Sequence, residues 1–207
     1  MSAIRNDKNK KALLAVKVLS LFVPFVKGIG LTGSVASGQV SEDDDLDFLI
    51  ITHDNLVFTT RFCCYVLAFL FGKKRTKNNE KNKWCMNIFL DEKFLVVPEQ
   101  KRNKFSASQL IKMKVLYEKD DCFKAFFSCN SFWVEKYIGG IGGKDEHECN
   151  ESNRVRERVL NKKSYSLIWL ETLMRKYQMM YMKKKMTNEY VGEKQIFFHP
   201  NKREEIV

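Results

Sequence analysis

Apolar residues recur at Leu13, Leu14, Val16, Val18, Leu19 and Phe22, the spacing of an amphipathic helix, and Pro24 follows. That predicts a helix over residues 10–22. Residues 25–32, FVKGIGLT, read as a strand in spite of two glycines. Gly33-Ser34 then turns the chain, and Ser34 is a suitable N-cap for a short helix or turn over 35–38. An acidic loop, Ser41-Glu42-Asp43-Asp44, leads into Asp45-Leu46-Asp47-Phe48-Leu49-Ile50-Ile51-Thr52, whose apolar, β-branched end marks a buried strand. Residues 55–71 carry a helical, mostly apolar pattern. A basic loop over 73–83 separates them from a strand over 84–90, and 94–97 reads as a further short strand.

Beyond residue 105 the pattern turns helical. Ser106-Ala107-Ser108-Gln109 reads as a helix start, with 108–118 helical, and 124–137 is a second helix rich in aromatics. Gly139-Gly140-Ile141-Gly142-Gly143 and the acidic stretch 145–151 read as a linker. A long helix over 152–185 follows, with Leu160, Leu167, Leu170, Met174 and Tyr177 on one stripe. The order of elements predicts an α/β (α+β) core over residues 1–105 and a helical C-terminal region over 106–207.

Composition alters this picture in three ways. A net charge of +11 favours polyanionic partners, nucleotide or nucleic acid, although a solvated lysine-rich surface explains the same excess. Six cysteines form no CxxC pair and no zinc-finger spacing with histidine. That predicts a reducing, cytoplasmic protein with neither structural metal nor disulfides. The most apolar run, 62–72, is shorter than the about 20 residues a bilayer-spanning helix needs, so no membrane partner is expected.

The candidate chemistry lies between residues 33 and 47. Two positions apart on a strand, Asp45 and Asp47 present their carboxylates side by side. Such like charges call for a cation, and a hard dication with oxygen ligands, Mg²⁺ or Mn²⁺, suits them. Gly33 lets the backbone approach phosphate oxygens, and Ser34 adds a hydroxyl at a helix start. The stretch from Leu31 to Thr52 resembles the DNA polymerase β-like nucleotidyltransferase superfamily, whose hallmark is Gly-Ser followed at a short interval by Asp-x-Asp in an apolar strand. The resemblance implies a mixed sheet flanked by helices and transfer of a nucleoside monophosphate from a nucleoside triphosphate to an acceptor hydroxyl, with Mg²⁺. By the same resemblance Gly33 and Ser34 contact the triphosphate, and Asp45 and Asp47 hold metal.

The superfamily's third carboxylate belongs on a later strand, where this chain has Asn87. An amide can ligate a metal through oxygen but cannot act as a general base. Asp91 or Glu92 could reach the site from the strand end, or the pocket binds nucleotide without turnover, as in an antitoxin-type module. A basic nucleic-acid-binding protein is the remaining alternative, with the basic loop and Lys residues 183–185 gripping the backbone. The acceptor, an RNA end or a protein among others, and the oligomeric state stay open. His53, just past the second strand, could lie near the site.

Overall fold

The computed structural model describes residues 2–76, 79–139, 167–183 and 189–198. A six-stranded mixed sheet organises them. Strand β1 (Val26–Thr32) pairs antiparallel with β2 (Leu46–Thr52), and β2 pairs parallel with β3 (Trp84–Asp91). Residues after 105, expected to be helical, also supply strands. Strand β4 (Lys114–Glu118) pairs with β1 at one edge, while β6 (Gln195–Phe197) pairs with β3 and β5 (Tyr190–Val191) closes the other. The sheet order is therefore β4-β1-β2-β3-β6-β5.

Every residue of β1 is buried, because both faces of the sheet are covered. On one face, Ile29, Leu31, Phe48, Ile50 and Phe89 meet helices α1 (Ser2–Phe22) and α3 (Val57–Leu70) through Ala15, Leu19, Phe58 and Cys64. On the other, Leu49, Ile51, Ile88 and Leu90 meet α4 (Lys104–Lys112) and α5 (Cys122–Ile138) through Leu110, Phe123, Phe126 and Trp133. The two glycines that dilute the β1 pattern mark where α5 and the end of α4 press on the strand. A Cβ on Gly28 would stand 2.7 Å from Phe123, and one on Gly30 2.5 Å from Met113 Sδ. Burial at about 25 cal/mol per Å² on both faces is what holds these layers together.

Several boundaries differ from the expectations. Helix α1 begins at Ser2 rather than residue 10, because Lys8 is drawn inward and extends its inner face. The short helix α2 (Gly33–Ser37) takes Thr32, not Ser34, as its N-cap. Residues 108–118 are not one helix. Asn103 caps α4 by accepting the Ser106 N–H at 2.8 Å, the helix ends at Met113, and the alternating Val115-Leu116-Tyr117 joins β1 instead. Residues 94–97 form no strand.

Helix α6 (Ile168–Lys183) lies on α3. Leu170 and Met174 are half-buried there, Met182 is buried and Tyr177 is turned outward, its ring edge against Phe62. The glycine linker beyond Gly139, Leu160 and the basic residues 184–185 lie outside the described residues. Cys63, Cys64, Cys85 and Cys122 are free thiols, whereas Cys129 is disulfide-bonded, a departure from the all-thiol expectation. Among the described residues no helix is long and apolar enough to cross a membrane.

Candidate active site

The turn from β1 into α2 is built on Gly33. Its φ is +72°, and a Cβ there would stand 2.2 Å from Asp47 Oδ2, so only glycine fits. Its N–H donates to Gln109 Oε1 at 2.8 Å. Helix α2 has five residues and ends at Gly38, φ +87°, so its dipole is short. The turn therefore offers individual N–H groups more than a macrodipole.

Asp47 is held between two strands, opposite Thr32 of β1 and Cys85 of β3. Asp45 comes just before β2 begins. Ligand atoms of Asp45, Asp47 and Cys85 all lie within 4.8 Å of one another. Asn87 sits where the β2–β3 register shifts, Phe48 facing Met86 but Leu49 facing Ile88. The bulge aims its side chain at the same spot. Asn87 Nδ2 donates to Asp47 Oδ1 at 2.7 Å, and the Cys85 thiol donates to Asn87 Oδ1 at 2.9 Å. Burial, with the Asp47 and Asp45 charges beside it, pushes the Cys85 thiol far above its ordinary range, so it stays protonated.

Asp45 is ion-paired to Arg75, Nε to Oδ2 at 2.7 Å, and Arg75 Nη2 meets Glu80 Oε1 at 2.7 Å. Both partners come from the basic loop, which is therefore not solely a solvated lysine run. The acidic loop is likewise ordered by specific contacts. Asp44 Oδ2 accepts the Ser34 hydroxyl at 2.6 Å and the Ser41 N–H at 2.8 Å. Burial raises the Asp44 pKa, but these hydrogen bonds outweigh it and leave the carboxyl below its usual value. Lys8 of α1, 1% exposed, donates to the carbonyls of Glu42 (2.8 Å) and Asp44 (2.5 Å). Phe105 and Gln109, one turn apart on α4, complete a cleft of about 440 Å³ that Gly33, Ser34, Asp45 and Asp47 also line. Lys8, Arg75, Glu80, Phe105 and Gln109 were not legible as site residues, because no motif joins them to the acidic strand.

The other candidates lie elsewhere. Asp91 pairs with Thr52, five positions along β2 from Asp47 and so about 16 Å away at strand rise. Glu92 is beyond it, paired with Lys27 at 3.1 Å and His53 at 3.3 Å. None of Asp91, Glu92 and His53 reaches the Asp45–Asp47 pair. They belong to a separate ion-pair cluster in which Lys194 meets Asp91 at 3.2 Å and Lys93 meets Asp54 at 2.8 Å. Burial lifts Asp91 to about 6 in spite of Lys194, whereas hydrogen bonds from His53, the Asp54 N–H and Lys27 overcome burial and hold Glu92 near 2.

A Gly-Ser turn thus leaves one strand of a mixed sheet, and paired carboxylates stand at the entry to the next across a shared cleft. Residues 10–122 match the model of the nucleotidyltransferase domain family, and the chain belongs to that family. None of the curated proteins matches it. Among solved structures, a toxin-antitoxin with AMP-PNP is 16% identical, covering 70% of this chain and 94% of that one, with a TM-score of 0.35. A mutant of the MntA–HpeT toxin-antitoxin is 15% identical, covering 74% and 98%, with a TM-score of 0.36. The tri-AMPylated HEPN toxin of Shewanella oneidensis in complex with MNT antitoxin has 15% identity, the same coverage and a TM-score of 0.32.

Proposed function

We propose that this chain transfers a nucleoside monophosphate from a nucleoside triphosphate to an acceptor hydroxyl, releasing pyrophosphate, with Mg²⁺ or Mn²⁺ held by Asp45 and Asp47. The observation that carries the reading is the contact between Gly33 and Asp47, too close for any side chain between them. It supports the reading by bringing the Gly33 turn and the Asp47 carboxylate, the proposed phosphate and metal sites, to one cleft. The donor set fits a hard dication: the carboxylates of Asp45 and Asp47 converge, oxygen ligands of the kind Mg²⁺ takes. A dication bound there supplies charge neutralisation for the triphosphate and the leaving pyrophosphate.

The remaining work falls to the chain itself. The Gly33 N–H and the Ser34 hydroxyl seat the phosphates, exchanging the oxygens of Gln109 and Asp44 for phosphate oxygens. Asn87 takes the third ligand position and orients Asp47. Phe105 and Gln109 bound the cleft where the nucleoside or acceptor enters. The net charge of +11 suits an anionic acceptor such as an RNA end, with a protein hydroxyl as the alternative.

Asn87 favours a second reading, nucleotide binding with little or no turnover. Its amide cannot take a proton from the acceptor, and Asp43, Asp44 and Glu80, the other carboxylates lining the cleft, are engaged by Lys81, Ser34 and Arg75. One calorimetric series tests both readings, titrating each of the four NTPs with Mn²⁺ into wild type, Asp45→Asn/Asp47→Asn and Asn87→Asp, with pyrophosphate release measured alongside. Metal-dependent binding is expected in wild type and lost in the double variant; binding that survives it means the site is misassigned. A rise in turnover of roughly tenfold or more in Asn87→Asp supports the second reading.

A further inference from the structure

We propose that Arg75 is a resident counter-ion of the Asp45–Asp47 pair, and that its release sets how tightly the pair takes a divalent cation. The inference rests on the reading of these aspartates as the metal-binding pair. Arg75 spans two carboxylates, 2.7 Å from Asp45 on one side and 2.7 Å from Glu80 on the other. The guanidinium fork suits such bridging, which an ammonium cannot reproduce. Its backbone is held in place by the start of β3. The Trp84 N–H donates to the Lys73 carbonyl at 2.9 Å, Lys74 forms a bridge with Trp84, and Phe71 stacks on the Trp84 ring. Arg75 is thus carried to the cleft by a short tether from the strand that also bears Cys85 and Asn87.

Its loop neighbour Lys81 provides the contrast. Lys81, 50% exposed, pairs with Glu42 and Asp43, whose side chains are 67% and 86% exposed, whereas Asp45 is 17% and Arg75 36% exposed. Pairs exposed on both sides contribute little, while one with a partly buried carboxylate is screened less by solvent. Asp45 has a full positive charge beside it. A dication held by Asp45 and Asp47 would share Asp45 with the guanidinium, and two cations on one carboxylate repel. Dication binding and retention of Arg75 therefore oppose each other, a negative linkage between two ligands of one carboxylate. A triphosphate in the cleft that Asp45 lines would relieve the conflict, because its negative charge offsets the excess positive charge beside that carboxylate. Metal alone then binds weakly, and metal with nucleotide binds tightly.

Mn²⁺ titrated calorimetrically into the full chain, alone and with ATP, tests this on wild type, Arg75→Gln, Arg75→Lys, Lys81→Gln and Asp45→Asn/Asp47→Asn. Without ATP, Arg75→Gln is expected to bind Mn²⁺ roughly tenfold more tightly than wild type, and Arg75→Lys several-fold more tightly. Lys81→Gln removes the same charge from the same loop and is expected to stay within about threefold of wild type. ATP should narrow the gap between wild type and Arg75→Gln. Arg75→Lys keeps the test open if Arg75→Gln does not fold. Mn²⁺ binding that depends on Asp45 but is no tighter in the Arg75 variants than in Lys81→Gln overturns the role of Arg75 alone. Absence of any Mn²⁺ binding dependent on Asp45 and Asp47, with and without ATP, overturns the metal-site reading and this inference with it.

Discussion

Gly33 combines a positive φ with Asp47 Oδ2 standing 2.2 Å from the place a Cβ would fill. Gly33→Ala therefore strains the backbone and pushes Asp47 away from Asp45 and Asn87. A stability loss of about 1–3 kcal/mol is expected, typical of a non-glycine residue in a disfavoured backbone region. Nucleotide affinity should fall by roughly a hundredfold. Thermal melting and calorimetry measure the two effects separately, and an alanine variant that binds nucleotide as wild type does would remove the close approach from the account. Gly33, Ser34, Asp45 and Asp47 were legible as a group because they lie within fifteen residues of one another on a turn and the strand after it. Asn87 was legible as the central polar residue of an apolar strand, but its hydrogen bond to Asp47 depends on a bulge that strand periodicity does not announce.

Among elements, α3 shows how a helix can be completed by a distant one. Its N-cap residue, Leu56, offers no side-chain hydrogen bond. Glu171 of α6 supplies the missing acceptor, taking the N–H groups of Phe58 at 2.7 Å and Thr59 at 2.8 Å. A carboxylate at a helix start also faces the positive end of the dipole. Nearby, Gln178 donates to the Phe58 carbonyl at 2.7 Å. Glu171→Ala leaves two helix-start donors without their acceptor and is expected to cost about 1–3 kcal/mol in urea unfolding. A loss below about 0.5 kcal/mol would mean that water replaces the carboxylate at no cost. The misread segment 108–118 has the same origin. Its apolar spacing fits helix or strand, and the buried edge of β1 decides for strand over Lys114–Glu118.

For the whole molecule, the ion-pair cluster at the far end of β2 and β3 couples the core to the C-terminal strands through Lys194. Glu92 is held near 2, below its ordinary value, so its contribution is present above pH 4.5 and lost as pH falls toward 2. Asp91 has the opposite sign. Raised to about 6, it contributes fully below pH 3.8 and loses that contribution as pH rises through 6. Each effect is on the order of 3 kcal/mol. Urea midpoints between pH 3 and 7 should therefore show Glu92→Gln flattening the acid limb and Asp91→Asn flattening the decline from pH 4 to 6. An unchanged slope from pH 4 to 6 in Asp91→Asn would falsify the burial argument for that carboxyl.

By itself the sequence determined what local rules can carry: much of the helix and strand periods, the glycine turn, and two carboxylates where one strand begins, all interactions among residues close along the chain. Tertiary structure alone decided which distant groups those residues meet. Gln109 lies 76 positions from the Gly33 N–H it accepts, Glu171 more than a hundred from the helix it caps, and Lys8 more than thirty from the carbonyls it holds. It also decided that Arg75, one basic residue among several in its loop, is the one set against Asp45. The physical reason is that backbone preference and hydrophobic period are written every few residues, whereas the partner of a buried donor or charge is chosen by packing, which brings together segments that share no pattern.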